Sequence, residues 1–193
     1  MLGKNITKEE LSVLEIESFS GRVALVQTVK DAEKAVASLR KAPMVGFDTE
    51  TRPAYKKGNL HRVALIQMAT EDVCFLFRLN FIGLPSCLMD LLSDPGTLKI
   101  GLSLKDDFRS IGRWKKFTPA GFVDLQHIVT QYGINDLGLQ KIYALLFEKR
   151  ISKRQRLTNW ETSVLTDAQQ QYAALDAWAC LKIYKRLISG IPV

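Results

Sequence analysis

Met44, Val45 and Phe47 form a short apolar run that ends directly on two acids, Asp48 and Glu50. A run of this length after Pro43, bounded by polar residues, reads as a buried strand. Side chains alternate from face to face along a strand, so Asp48 and Glu50 share one face. Two like charges at the end of a buried strand repel each other and lose solvation, at a cost of roughly a few kcal/mol unless cations neutralise them. The rest of the chain must therefore fold so that compensating groups reach that strand end, and hard metal ions are the simplest such group.

Two further segments carry acids of the same kind. Thr166-Asp167-Ala168-Gln169 has the form of a capping box, which predicts a helix running to about Ser189. Its apolar stripe is Ala173, Asp176, Ala177, Cys180, Ile183, Tyr184 and Leu187, and Asp176 is the single charge on it. A lone carboxylate on a core-facing stripe requires a cation or hydrogen bonds, because desolvation disfavours its charged form. Tyr172 lies one turn back, where its hydroxyl can meet the same site. The other segment, Leu98 to Trp114, predicts a strand at 98–102 and a helix over 105–114 with Phe108 and Ile111 inward. Asp106 and Asp107 stand in the first turn of that helix, where the dipole favours acids. The spacing from Gly101 and the following Phe108 and Ile111 favour Asp107 for a shared site, leaving Asp106 to a surface or capping role.

These segments resemble the tyrosine-containing branch of the DEDD 3′–5′ exonuclease superfamily, the group that includes ribonuclease D and the exonuclease domain of the Werner syndrome protein. Gly46-Phe-Asp-Thr-Glu50 is similar to the first family motif, Gly101 to Ile111 to the second, and Tyr172-Ala-Ala-Leu-Asp176 to the third. Leu137-Gly-Leu-Gln-Lys141, Thr158-Asn-Trp160 and the stretch from Leu165 also resemble family sequence, and Ile6 to Leu11 resembles the leader of short bacterial members. The resemblance implies a ribonuclease H-like α/β fold, with a mixed central sheet flanked by helices. It also implies a metal quartet of Asp48, Glu50, Asp107 and Asp176, with Tyr172 completing the catalytic site. Carboxylate-only ligands suit Mg²⁺ or Mn²⁺ rather than zinc, and two such ions support phosphodiester hydrolysis. By family analogy, water attacks the terminal phosphodiester in line, Tyr172 orients it, Glu50 contacts the 3′-hydroxyl, and a nucleoside 5′-monophosphate leaves.

Charge agrees with a nucleic-acid partner. The chain has 27 Lys and Arg against 20 Asp and Glu, a formal net charge of +7, although the acid site concentrates negative charge. Its densest basic run is Lys149, Arg150, Lys153, Arg154 and Arg156, between two helical segments. Lys56, Lys57, His61 and Arg62 follow the first motif, and Arg109, Arg113, Lys115 and Lys116 follow the second. Such residues are placed to track phosphates around an acidic centre, or else form solvated surface.

A length of 193 residues with 47% hydrophobic content suits one core. Residues 1–20 read as a polar leader with a short helix capped by Thr7 and Glu10, and 21–193 as the exonuclease domain. Strands are predicted at 22–27, 44–50, 62–69, 73–78, 98–102 and 122–124, and helices at 29–41, 85–93, 105–114, 124–132, 137–147 and 166–189. Three successive strands suggest hairpins, and the later alternation of strands with helices completes a mixed sheet.

Other chemistries find little support. Cys74, Cys87 and Cys180 are too scattered for a zinc or disulfide framework and fit a reducing compartment. His127 lacks a second ligand, Asp124 reads as a helix-start residue, and Ser103 has no nucleophile-elbow setting. There is no phosphate-cradling glycine loop for a nucleotide cofactor, no signal sequence and no membrane-spanning run, so a cytoplasmic protein is expected. The expected partner is a nucleic acid with a free 3′ end. Ribonuclease D carries further helical domains, whereas this chain ends at Val193 just after the motif-bearing helix, which tilts the expectation towards the Werner-like, DNA-directed members. An RNA-directed enzyme, a catalytically silent binding module and an internally cutting nuclease are the alternatives.

Overall fold

A computed structural model describes residues 5–54 and 61–190. The chain opens with α1 (Lys8–Val13), whose N-terminus is closed by the reciprocal Thr7 and Glu10 capping box. After β1 (Glu15–Ile16), β2 (Arg22–Val26) and α2 (Val29–Leu39) come three successive strands, β3 (Met44–Thr51), β4 (Val63–Ala69) and β5 (Val73–Arg78). A short α3 (Leu79–Ile82), α4 (Ser86–Leu92), β6 (Leu98–Gly101), α5 (Leu104–Ile111), β7 (Phe122–Asp124) and α6 (Leu125–Val129) follow. The chain continues through a 3₁₀ turn at Thr130–Tyr132 into α7 (Leu139–Phe147), β8 (Lys149–Arg150) and α8 (Asp167–Ile188).

Among the described residues the main sheet has six strands in the order β2-β5-β4-β3-β6-β7. Strand β4 pairs antiparallel with both of its neighbours, while β2 with β5, β3 with β6, and β6 with β7 are parallel. Hairpins build the middle of the sheet and helical crossovers build the β6 and β7 side, as the order of predicted elements implies. Every residue of β4 is buried. That follows from its place between two cores, one under α6, α7 and α8 and one under α2, α4 and α5. Because β3 lies next to β4 near the middle of this three-layer arrangement, its acidic end is buried as well.

Two departures from the predicted elements matter for the site. Helix α5 begins at Leu104 after Ser103, which adopts the left-handed region at φ 62°. The Asp124 carboxylate holds that turn by accepting the backbone N–H groups of Ser103 (3.0 Å) and Leu104 (2.9 Å), while also capping α6 through Gln126 (3.0 Å). Asp124 is therefore a helix-start residue twice over. The second departure is β8, which pairs in parallel with β1. Lys149 and Arg150 thus lie in a short strand and not in an open loop, and the leader is stitched to the body. No helix among the described residues is long and apolar enough to cross a membrane.

Candidate active site

Gly46 controls how the acids meet. A Cβ built there would lie 1.9 Å from the Ala177 carbonyl oxygen, so only glycine lets α8 cross β3 at this distance. Ala177 follows Asp176, and the close crossing sets that carboxylate over the end of β3. One ligand oxygen from each of Asp48, Glu50 and Asp176 lies within 4.8 Å of the other two. Helix α8 is itself fixed at its start, where Thr166 Oγ1 accepts the Gln169 N–H (3.2 Å) and Gln169 Oε1 accepts the Thr166 N–H (3.1 Å).

The electrostatics are those of like charges that neighbouring cations offset only in part. Burial, reinforced by Asp176, Glu50 and Asp107, pushes the Asp48 carboxyl well above the usual carboxylate range. Burial and the charges of Asp176 and Asp107 raise Glu50 to about 9, against a partial offset from Arg156. Burial raises Asp176 to about 7 despite a hydrogen bond from Tyr172 and the nearby charge of Lys153. The Asp176 Oδ1 atom is buried without a hydrogen-bond partner among the described residues. An all-oxygen, like-charged and under-satisfied cluster fits a hard divalent cation well.

Asp107 stands at the edge of this group. Its Oδ1 accepts a hydrogen bond from Thr49 Oγ1, and burial raises its pKa to about 6. It contributes to the electrostatics of Asp48 and Glu50 but does not join the three acids whose oxygens converge. Asp106 points outward and pairs with Arg109 at 3.1 Å, so the structure places Asp107 on the site side and Asp106 on the surface. Tyr172 is 8% exposed, and burial and the adjacent acids, Asp176 foremost, hold its phenol far above its ordinary pKa.

The acids, Tyr172 and Cys180 line a cavity of about 330 Å³, with Lys153 and Arg156 also on its wall. Arg154 lines a second cavity of about 490 Å³ that shares Tyr172 as a wall. Lys149 instead pairs with Glu17 (3.4 Å), and Arg150 Nε donates to the Leu14 carbonyl (2.9 Å), so the basic run divides between the site and the leader. Arg62 lies over the Trp114 ring at 5.0 Å, Arg109 is engaged with Asp106, and Lys56 and Lys57 lie outside the described residues.

Sequence reasoning missed two buried residues, one of them packed against Tyr172. Trp160 is wholly buried with its ring centroid 6.0 Å from that of Tyr172, and Arg78 is wholly buried on β5 and donates to the Thr162 carbonyl. An arginine that ends an otherwise apolar strand, Val73 to Phe77, was the available signal for Arg78.

The mixed central sheet flanked by helices is a ribonuclease H-like fold. The family described as 3′–5′ exonuclease matches residues 23–191, and the chain belongs to that family. It is 30% identical over 185 residues to a 3′–5′ exonuclease of Arabidopsis thaliana, covering 88% of this chain and 64% of the relative. It is 30% identical over 198 residues to the bifunctional 3′–5′ exonuclease/ATP-dependent helicase WRN of Mus musculus, covering 95% of this chain and 14% of that protein. The chain thus spans less than two thirds of the length of these relatives. Among solved structures, Escherichia coli RNase D, an exoribonuclease involved in structured RNA processing, superposes with a TM-score of 0.78 at 22% identity, covering 86% of this chain and 44% of that one.

Proposed function

We propose that this chain is a metal-dependent 3′–5′ exonuclease that hydrolyses the terminal phosphodiester of a nucleic acid strand and releases nucleoside 5′-monophosphates. The observation that carries the reading is the convergence of Asp48, Glu50 and Asp176 oxygens within 4.8 Å, beside Tyr172 in one cavity. With Asp107, these residues would hold two Mg²⁺ or Mn²⁺ ions. Bound there, such ions neutralise phosphate charge and make water a better nucleophile at neutral pH. Tyr172 stays a protonated phenol, because burial and its acidic neighbours disfavour the phenolate. It therefore orients the attacking water through its hydroxyl and does not accept the proton. Lys153 and Arg156, on the cavity wall, supply positive charge for the phosphates flanking the scissile bond. Glu50 contacts the terminal 3′-hydroxyl.

On the Werner-like resemblance, DNA is the expected strand. Digestion of matched 5′-labelled DNA and RNA with free or blocked 3′ ends, in Mg²⁺, Mn²⁺ or chelator, tests the metal dependence, the direction and the strand preference of this reading. A metal-dependent ladder from free 3′ ends, faster on DNA, is the predicted outcome. Faster shortening of RNA would make it a ribonuclease D-like enzyme, and cleavage of blocked strands would make it an internally cutting nuclease.

A further inference from the structure

The segment between β8 and α8 holds one more group against the site. Trp160 is wholly buried, yet its Nε1 has no hydrogen-bond partner among the described residues. Packing alone does not call for an indole N–H, since Phe offers an aromatic ring without an unpaired donor. What the indole does meet is the ring of Tyr172, with centroids 6.0 Å apart and planes inclined by 33°.

The backbone that carries Trp160 is tied down on both sides of it. Gln169 Nε2 donates to Thr158 Oγ1 (3.0 Å) and to the Asn159 carbonyl (3.3 Å). Asn80 Nδ2 donates to the Glu161 carbonyl (3.3 Å), and the buried Arg78 guanidinium donates to the Thr162 carbonyl. Gln169 is also the N3 residue of the α8 capping box, one turn before Tyr172. The indole is thereby held relative to β5, the neighbouring helix α3 and the start of α8 at once. Turning a tyrosine about χ2 leaves its hydroxyl in place, whereas turning it about χ1 swings the hydroxyl away, and a rigid ring packed alongside blocks that swing.

We infer that Trp160 is a positioning residue that locks the side chain of Tyr172, so that its hydroxyl points into the acid cavity when a nucleic acid 3′ end is bound. The inference rests on the exonuclease reading above. Trp160 does not touch the strand; it acts through Tyr172, and its effect depends on the Tyr172 hydroxyl.

A double-mutant cycle tests this. The rate of 3′-end shortening is measured for the parent chain, Trp160→Leu and Trp160→Phe, and for each again with Tyr172→Phe, alongside thermal unfolding. Trp160→Leu is expected to lower kcat about tenfold with KM little changed, and to cost less than about twofold once Tyr172 is Phe. If Trp160→Leu loses its cooperative thermal transition, Trp160→Phe carries the same cycle, with a loss of about threefold that disappears without the hydroxyl. Equal fold losses with and without the Tyr172 hydroxyl, or no loss with it, would overturn the assignment while leaving the exonuclease reading standing. No shortening by the parent chain would overturn both.

Discussion

A half-buried acid and a buried cluster of acids stand in opposite electrostatic states in this molecule. Glu17, at the junction of leader and body, accepts from the Tyr143 hydroxyl (2.6 Å), Lys182 Nζ (3.2 Å) and Lys149 Nζ (3.4 Å). Burial would raise its pKa, but the hydrogen bonds from Tyr143 and Lys182 outweigh burial and bring it to about 2. Asp48, Glu50 and Asp176 lie close together, and although Tyr172 and Lys153 favour the charged form of Asp176 and Arg156 that of Glu50, burial and mutual repulsion win and their pKa values move upward. A desolvation cost to a carboxylate is therefore common to both places. What separates a fastening from a candidate metal centre is whether the chain itself supplies the compensating charge.

The comparison breaks most clearly under substitution. Asp48→Asn or Asp176→Asn should lower 3′-end shortening by about 10² to 10³-fold, the size expected when one preorganised charge is removed. Either change should leave the metal-free melting temperature unchanged or higher, because a repulsive charge is lost. Glu17→Gln should leave shortening intact, and a large loss there would erase the distinction.

Metal should act on one site alone. Each Mn²⁺ ion, at about 100 times its Kd, should stabilise the chain by about 2.7 kcal/mol. For a chain of this length that is a rise of about 5 to 10 °C in melting temperature. The same increment is expected in Glu17→Gln, and little of it in Asp176→Asn.

Acidity should separate the sites by sign. Glu50 at about 9, Asp176 at about 7 and Asp107 at about 6 keep protons in the folded state that the unfolded chain has already released. Metal-free stability should thus fall as pH rises from the ordinary carboxylate range towards 9, and bound metal should flatten that slope. Glu17 contributes in the opposite sense. Its stabilisation is complete above its ordinary pKa and is lost as pH falls towards about 2. Glu17→Gln should cost about 1 to 2 kcal/mol at neutral pH, a modest figure because Lys149 and Lys182 are partly exposed. Thermal melts across pH, with and without Mn²⁺, check both slopes.

The smallest effect concerns the divided basic run. Arg156→Ala should weaken strand binding and reduce the slope of log affinity against log salt by about one, whereas Lys149→Ala should leave the slope unchanged and lower stability. Binding isotherms at several salt concentrations distinguish the two.

Much of this geometry is visible in the chain itself. Asp176 stands out as the one charge on an apolar helical stripe, and Asp48 and Glu50 stand out because a buried strand ends on them. The capping box at Thr166 set the start of α8, and the structure has it there. Other features depend on contacts between segments far apart in the chain. The need for Gly46 arises where Ala177 crosses it, and Glu17 meets Tyr143 and Lys182 across more than a hundred residues. A two-residue strand such as β8 has no periodicity to read, so Lys149 and Arg150 looked like part of one open basic run. Trp160 looked like an ordinary family residue because its neighbour, Tyr172, lies in the next helix.

A calorimetric titration of Mn²⁺ into the chain and into Asp176→Asn, at constant ionic strength, tests the central claim most directly. Saturable binding of two ions per chain, accompanied by proton release from the acid cluster and lost or halved in the substituted chain, is the predicted result. No saturable binding, or binding that Asp176→Asn leaves unchanged, would contradict it.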